Sequence, residues 1–282
     1  MNTSRPAARS IAHSVAQTAS RKKSATRALA ALLIAGGLLA AFTAAHAQTQ
    51  TLAASAQQAA PQFGRWQSSM DAFAAADKER FPASEGVLFV GSSTIRMWKN
   101  MAQDFRDVPV VINRGFGGST MDDCNRFVRT LVNGYKPRHV LVYAGDNDLA
   151  EGRSPQQVLE SFTSFVATVR SELPDTRITY ISIKPSPLRA SLMPKMREAN
   201  ALISSYVATL PNAGYIDIHT PMLGADGSPK PELYQADRLH MTDAGYKLWH
   251  SVIAAQLQPP APSGSPALPA GQQMATSATA SR

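Results

Sequence analysis

Five short apolar runs recur along the chain, at Val87–Val90, Val110–Asn113, His139–Tyr143, Arg177–Ile183 and Tyr215–Ile218, with helical segments between them. The runs are apolar on both faces. That pattern demands burial from above and below, which only a parallel sheet covered by helices on both sides supplies. In such sheets ligands bind beyond the carboxyl ends of the strands. The informative residues are therefore those that follow each run: Ser92 and Ser93, Gly115 to Thr120, Asp146 to Asp148, and Lys184 to Pro187. The Asp237–His240 loop lies just before the last helix.

The helical segments carry their own start and stop signals. An amphipathic helix is expected over residues 64–80, with Trp66, Met70, Phe73 and Ala74 on one side. A short helix is expected from Thr94, with Ile95 and Trp98 inward. Another runs from Met121 to Asn133 and ends at Gly134 and Pro137. Ser154, followed by Pro155, caps the longest helix, whose core stripe is Val158, Leu159, Phe162, Val166, Val169 and Leu173. A helix over Met193–Leu210 and a last one, capped by Thr242 and ending near Leu257, complete the set.

Charge is unevenly spread. The formal net charge is +8, yet six of the 28 Lys and Arg lie in residues 1–47, where there is no Asp or Glu. The remainder holds 22 basic and 20 acidic residues, so the basic balance belongs to the N-terminus and gives no support for a nucleic-acid partner. The basic segment precedes an uncharged Leu- and Ala-rich stretch, Ala28 to Ala45, and Ala45-His46-Ala47 has the A-x-A cleavage pattern. Residues 1–47 read as an export signal cut after Ala47, placing the mature chain in the periplasm or outside the cell. An uncleaved N-terminal membrane anchor is the alternative. Residues 48–63 read as a flexible linker, 64–258 as the folded domain and 259–282 as a disordered Pro-, Ser- and Ala-rich tail. Cys124 is the single cysteine, so no intramolecular disulfide forms, and it reads as a buried structural thiol.

The strand-end loops hold what ester hydrolysis needs. A serine serves as nucleophile once a histidine takes its proton and a carboxylate holds that histidine in the right tautomer. Asp237 and His240 are three residues apart, a spacing that on a turn brings the carboxylate to Nδ1 and leaves Nε2 for a serine. Gly118 can offer a backbone N–H at close approach and Asn147 a side-chain amide; with the serine's own N–H they make three oxyanion donors. The other histidines of this region, His139, His219 and His250, read as structural or surface groups. Asp146 to Asp148 lack the further His and Asp ligands that a binuclear metal site requires. Gly115 to Thr120 departs from a dinucleotide loop, ending on Thr and following the second strand.

These blocks resemble those of the SGNH hydrolases, the GDSL-type esterases, over about Phe81 to Leu257. Phe89-Val90-Gly91-Ser92-Ser93 matches the first block, with Ser93 in the nucleophile position. Asn113-Arg114-Gly115-Phe116-Gly117-Gly118 is similar to the second and puts Gly118 at the oxyanion glycine. Gly145-Asp146-Asn147-Asp148 resembles the third, with Asn147 as the oxyanion asparagine, and Asp237-Arg238-Leu239-His240 matches the fifth. The family usually has Asp before the nucleophile; here Ser92 stands there and is the alternative nucleophile. The resemblance implies a three-layer α/β/α sandwich around a flavodoxin-like five-stranded parallel sheet. It implies a serine esterase with no cofactor and no metal, cleaving carboxylic esters of a small molecule, lipid or glycan through Ser93, His240 and Asp237. Lysophospholipases, thioesterases and arylesterases are the substrate classes implied. A carbohydrate O-acetyl esterase or acetyltransferase of the same fold, and a non-catalytic glycan-binding relative, are the alternatives. Trp98, Phe116, Tyr143 and Met241 are expected to line an acyl pocket.

Overall fold

The computed structural model describes residues 64–257. The expected export signal, linker and tail lie outside the described residues. The chain divides into two compact units, residues 1–71 and 72–282, and the sheet lies in the second. Helix α1 is Gln67–Glu79.

The strands are β1 (Val87–Gly91), β2 (Val111–Gly115), β3 (His139–Tyr143), β4 (Arg177–Ile181) and β5 (Ala213–Ile216). They pair in parallel in the order β2-β1-β3-β4-β5. The chain steps from β1 outward to β2, then returns across β1 to β3. That reversal is the switch point at which a crevice opens beyond the strand ends, and β1 with its serines lies there.

Between the strands run α2 (Ser93–Arg96), α3 (Met101–Asp104), α4 (Met121–Arg126), α5 (Val128–Leu131), α6 (Asp146–Ala150), α7 (Pro155–Glu172) and α8 (Met193–Ala208), and α9 (Asp243–Leu257) follows β5. Strand side chains alternate between the two faces. Val87 and Phe89, with Leu141 and Tyr143, share one core with Trp98, Phe105, Trp249 and Ile253. On the opposite face α7 packs Phe162 edge-on against Tyr180, ring centroids 4.9 Å apart. Both cores are sealed: every residue of β1 and β3 is buried, as the uniform apolarity of those runs requires.

Several elements depart from expectation for local reasons. β2 reaches Gly115 rather than ending at Asn113, because its register with β1 continues to the Gly91–Gly115 pair. The polar residue there, Arg114, is held at the sheet edge by Asp77 at 2.5 Å and lies over the rings of Phe73 and Tyr135. The helix expected over Met121–Asn133 breaks at Phe127, which has left helical geometry and turns its ring onto Phe116, and a short 3₁₀ turn at Asn133–Tyr135 follows. The stretch after β3, expected as a loop, winds into α6 once Gly145 has taken φ +116°. Ser154 caps α7 as expected, in a reciprocal box with Gln157. Among the described residues no helix is long and apolar enough to cross a membrane.

Candidate active site

Ser93 opens α2 directly after β1, with Ser92 as its N-cap. Two backbone hydrogen bonds anchor this turn to the flanking strands: Phe116 N–H donates to the Gly91 carbonyl at 2.9 Å, and Ser92 N–H to the Tyr143 carbonyl at 3.2 Å. The strand order thus brings the loops after β1, β2 and β3 to one point.

The Asp237–His240 turn explains why that spacing works. Asp237 Oδ1 accepts the backbone N–H groups of Leu239 and His240, both at 2.9 Å, leaving Oδ2 to take His240 Nδ1 at 2.6 Å. Arg238 takes φ +60° to make the turn, and the Gln235 N–H closes it on the His240 carbonyl at 2.8 Å. His240 Nε2 then lies 3.0 Å from Ser93 Oγ, across 147 residues of sequence. Ser92 Oγ, by contrast, is buried and has no hydrogen-bond partner among the described residues. The hydrogen bond from His240, followed by the Leu239 N–H, holds the Asp237 carboxyl down at about 2. Asp237 is therefore an anion at any pH near neutrality and can fix the imidazole tautomer that leaves Nε2 facing the serine.

Gly118 and Asn147 arrive from the β2 and β3 loops. Gly118 has φ +75°, and Asn147 Nδ2 donates to the neighbouring Ser119 carbonyl at 2.9 Å, which ties the two loops together. The next residue, Asp148, reaches across to accept the Met121 N–H at 2.9 and 3.1 Å, and it is fully buried. Burial pushes its carboxyl up to about 6, against the pull of that N–H.

This shift has a consequence for stability. Between its usual value and about 6 the folded chain keeps a proton that the unfolded chain has lost, so this group's contribution falls as pH rises through that window. Asp148→Asn is expected to remove the dependence. Relative to the parent, its melting temperature should gain little at pH 4 and most above pH 7, with an upper bound of ~3 kcal/mol. Thermal melts of both proteins across pH provide the check; a difference that stays constant would rule the assignment out.

Of the four apolar residues expected to line an acyl pocket, Trp98 and Met241 border a cavity of about 650 Å³ that Met97 and Tyr246 also line. Trp98, Phe116, Tyr143 and Met241 are 2 % exposed or less. Tyr143 meets Trp249 edge-on at 4.9 Å and Phe116 meets Phe127 at 6.0 Å. Phe116 and Tyr143 belong to the packed core, which corrects the expectation for those two. Among the described residues the remaining histidines have structural partners: His139 bonds Thr179 at 2.8 Å, His219 the Ile183 carbonyl at 2.9 Å, and His250 meets the Phe105 ring edge-on at 5.1 Å. Burial, with Arg177 and Arg138 nearby, holds His139 down at about 3, so it stays neutral. Cys124 is fully buried and burial raises its thiol far from the thiolate range.

The reading of the loops missed a charged group behind Asn147, made of Asp146, Lys184 and Arg189. Lys184 lies in a loop that had been singled out, but nothing in its spacing showed a partner. Arg189 sits two residues past the loop's last proline, in the 3₁₀ segment Pro187–Leu192.

A parallel α/β sheet with a serine–histidine pair at its switch point is the arrangement of ester-hydrolysing serine hydrolases, and this chain is one. It belongs to the GDSL-like Lipase/Acylhydrolase family, the SGNH hydrolases, whose family model matches residues 84–248. It is 26% identical over 225 residues to the platelet-activating factor acetylhydrolase IB subunit alpha1 of Homo sapiens, covering 73% of this chain and 90% of that one. Among solved structures it resembles a GDSL-like lipase from Bacteroides thetaiotaomicron, with a TM-score of 0.54, 22% identity, and 61% of this chain and 87% of that one covered. An acetylxylan esterase from Geobacillus stearothermophilus aligns with a TM-score of 0.53 and 15% identity, over 62% of this chain and 94% of that one.

Proposed function

We propose that this chain is an exported esterase that cleaves short acyl esters, acetyl esters foremost, through Ser93, His240 and Asp237. The carrying observation is that His240 bridges Ser93 Oγ at 3.0 Å and Asp237 Oδ2 at 2.6 Å. Ser93 Oγ attacks the acyl carbon while Nε2 takes its proton, and Asp237 stabilises the imidazolium. The oxyanion is held by the N–H groups of Ser93 and Gly118 and by the Asn147 amide. The proton on Nε2 passes to the leaving alcohol. Water then attacks the acyl-enzyme and gives a proton to His240 Nε2, and that proton returns to Ser93 Oγ as the acid leaves.

The packing supports the acyl preference. Phe116 and Tyr143 are fully buried and open no slot for a long chain, and the cavity that Trp98 and Met241 border is lined largely by polar and charged groups, among them Lys99, Asp104, Gln235 and Lys247. An acetyl group needs no such slot. Two of the proteins it resembles carry acetyl esters in their names, the human acetylhydrolase subunit and the acetylxylan esterase. Hydrolysis of 4-nitrophenyl esters from acetate to octanoate tests this reading: kcat/KM is expected to fall at least ~10-fold by hexanoate. A rate that climbs through octanoate would overturn it. Export is supported by the basic segment, apolar stretch and Ala45-His46-Ala47 of residues 1–47. The intact mass of protein secreted from a bacterial host reads it directly, with Gln48 as the expected first residue and retention of residues 1–47 as the contrary result.

A further inference from the structure

Behind Asn147 lies a group of charges that the proposed chemistry does not use. Asp146 is 4 % exposed and its Oδ2 is 3.0 Å from Arg189 Nη1 and 3.8 Å from Lys184 Nζ. Lys184 is itself 1 % exposed. Asp146 and Lys184 are buried and Arg189 is partly so; burying charge is unfavourable unless it is closely paired, and even then the pairing seldom adds stability over an apolar core. Such a group calls for a role other than stability.

Its geometry indicates one. Arg189 Nη2 donates to Asn147 Oδ1 at 2.9 Å, while Asn147 Nδ2 donates to the Ser119 carbonyl at 2.9 Å. A guanidinium only donates and a carbonyl only accepts, so the Asn147 amide has a single permitted orientation between them. Rotating it by half a turn would set NH₂ against the guanidinium and carbonyl against carbonyl. With Oδ1 and one N–H of Nδ2 engaged, the second N–H of Nδ2 is left for the oxyanion. A cationic donor on Oδ1 also polarises the amide and strengthens that N–H. Backbone bonding fixes Arg189 in turn: Leu188 N–H donates to the Arg238 carbonyl at 3.0 Å, joining this segment to the turn that carries Asp237 and His240.

We propose that Arg189 is a positioning residue that holds the Asn147 amide in its oxyanion-donating orientation, with Asp146 fixing the guanidinium and Lys184 paired to Asp146. The inference rests on the reading of Asn147 as an oxyanion donor, and its test separates the two. Arg189→Met, Asn147→Ala and the double variant are compared on neutral 4-nitrophenyl acetate, with melting temperatures recorded alongside. Asn147→Ala is expected to lower kcat by ~10²- to 10³-fold. Arg189→Met should lower kcat by ~10- to 100-fold with KM within ~2-fold, part of the cost of losing that donor outright. In the Asn147→Ala background the same change should alter kcat by less than ~3-fold, because no amide is left to orient. Arg189→Lys preserves the charge beside Asp146, so its melting temperature should return towards the parent's. One ammonium cannot serve both Asp146 and Asn147, so kcat should stay ~10-fold down. Full kcat in Asn147→Ala would overturn the oxyanion reading itself. A loss in Asn147→Ala onto which Arg189→Met multiplies in full would overturn only the positioning role. A KM rise without a kcat loss in Arg189→Met would also overturn it, making Arg189 a substrate contact.

Discussion

Ser93→Ala is expected to lower kcat by at least ~10³-fold while leaving the protein folded. Ser93 Oγ is the only hydroxyl within hydrogen-bond reach of His240 Nε2 among the described residues, at 3.0 Å. Without it the Asp237–His240 pair persists, held by its own turn, but no group is left for the base to activate. The stability cost is small because the hydroxyl is only partly buried, so the melting temperature should move by no more than ~2 °C. Ser92→Ala makes the comparison sharp. Its Oγ is buried without a partner, and removing an unsatisfied hydroxyl to leave a methyl group is neutral or stabilising. Activity there should stay within ~3-fold of the parent. A fluorophosphonate adduct mapped by peptide mass should sit on Ser93 in the parent and in Ser92→Ala, and be absent in Ser93→Ala. Activity that survives in Ser93→Ala and vanishes in Ser92→Ala would exchange the two roles.

The parts legible in the sequence and the parts that were not divide along a physical line. Runs apolar on both faces imply a doubly covered parallel sheet, and once the strands are parallel their carboxyl ends must share one edge. That alone gathers Ser93, Gly118, Asn147 and His240, because each follows a strand or precedes the last helix. The Asp237–His240 contact is local, set by two backbone N–H groups on one carboxylate oxygen, so spacing suffices to anticipate it. Arg189 meets Asn147 across 42 residues. That contact depends on β4 lying beside β3 and on how the 3₁₀ segment turns, and no spacing encodes either. Asp148 escaped for the same reason, its partner Met121 lying 27 residues back. The apolar residues failed differently. Tyr143 ends a strand beside the site and Met241 follows His240, but proximity in sequence does not distinguish a pocket wall from the core beneath it. Packing decides: Tyr143 lies wholly in the core, whereas Met241, though buried, also borders a cavity.

Gly91→Ala should be the most destabilising small substitution near the site. Gly91 is the last residue of β1 and has φ +151°. A Cβ built there would sit 1.9 Å from the Tyr143 carbonyl oxygen and 2.8 Å from its carbon, both backbone atoms of the neighbouring central strand. Neither can yield, because that same carbonyl accepts the Ser92 N–H and the strands are paired along their length. Relief therefore requires β1 and β3 to part at the point that aims Ser93. The expected cost is ~3–5 kcal/mol, or a melting temperature lower by ~10 °C or more in a domain of this size. Gly152→Ala is the matched control. Its φ is +92°, yet a Cβ there meets nothing within 4 Å, so only the backbone strain remains, about 1 kcal/mol. The contrast isolates the steric term from the dihedral one. Whatever fraction of Gly91→Ala folds should also turn over poorly, since Ser93 and His240 must stay within hydrogen-bond distance to act. Equal stability in the two variants would mean that β1 and β3 can separate at little cost. The close approach of Gly91 to Tyr143 would then not be what sets the nucleophile.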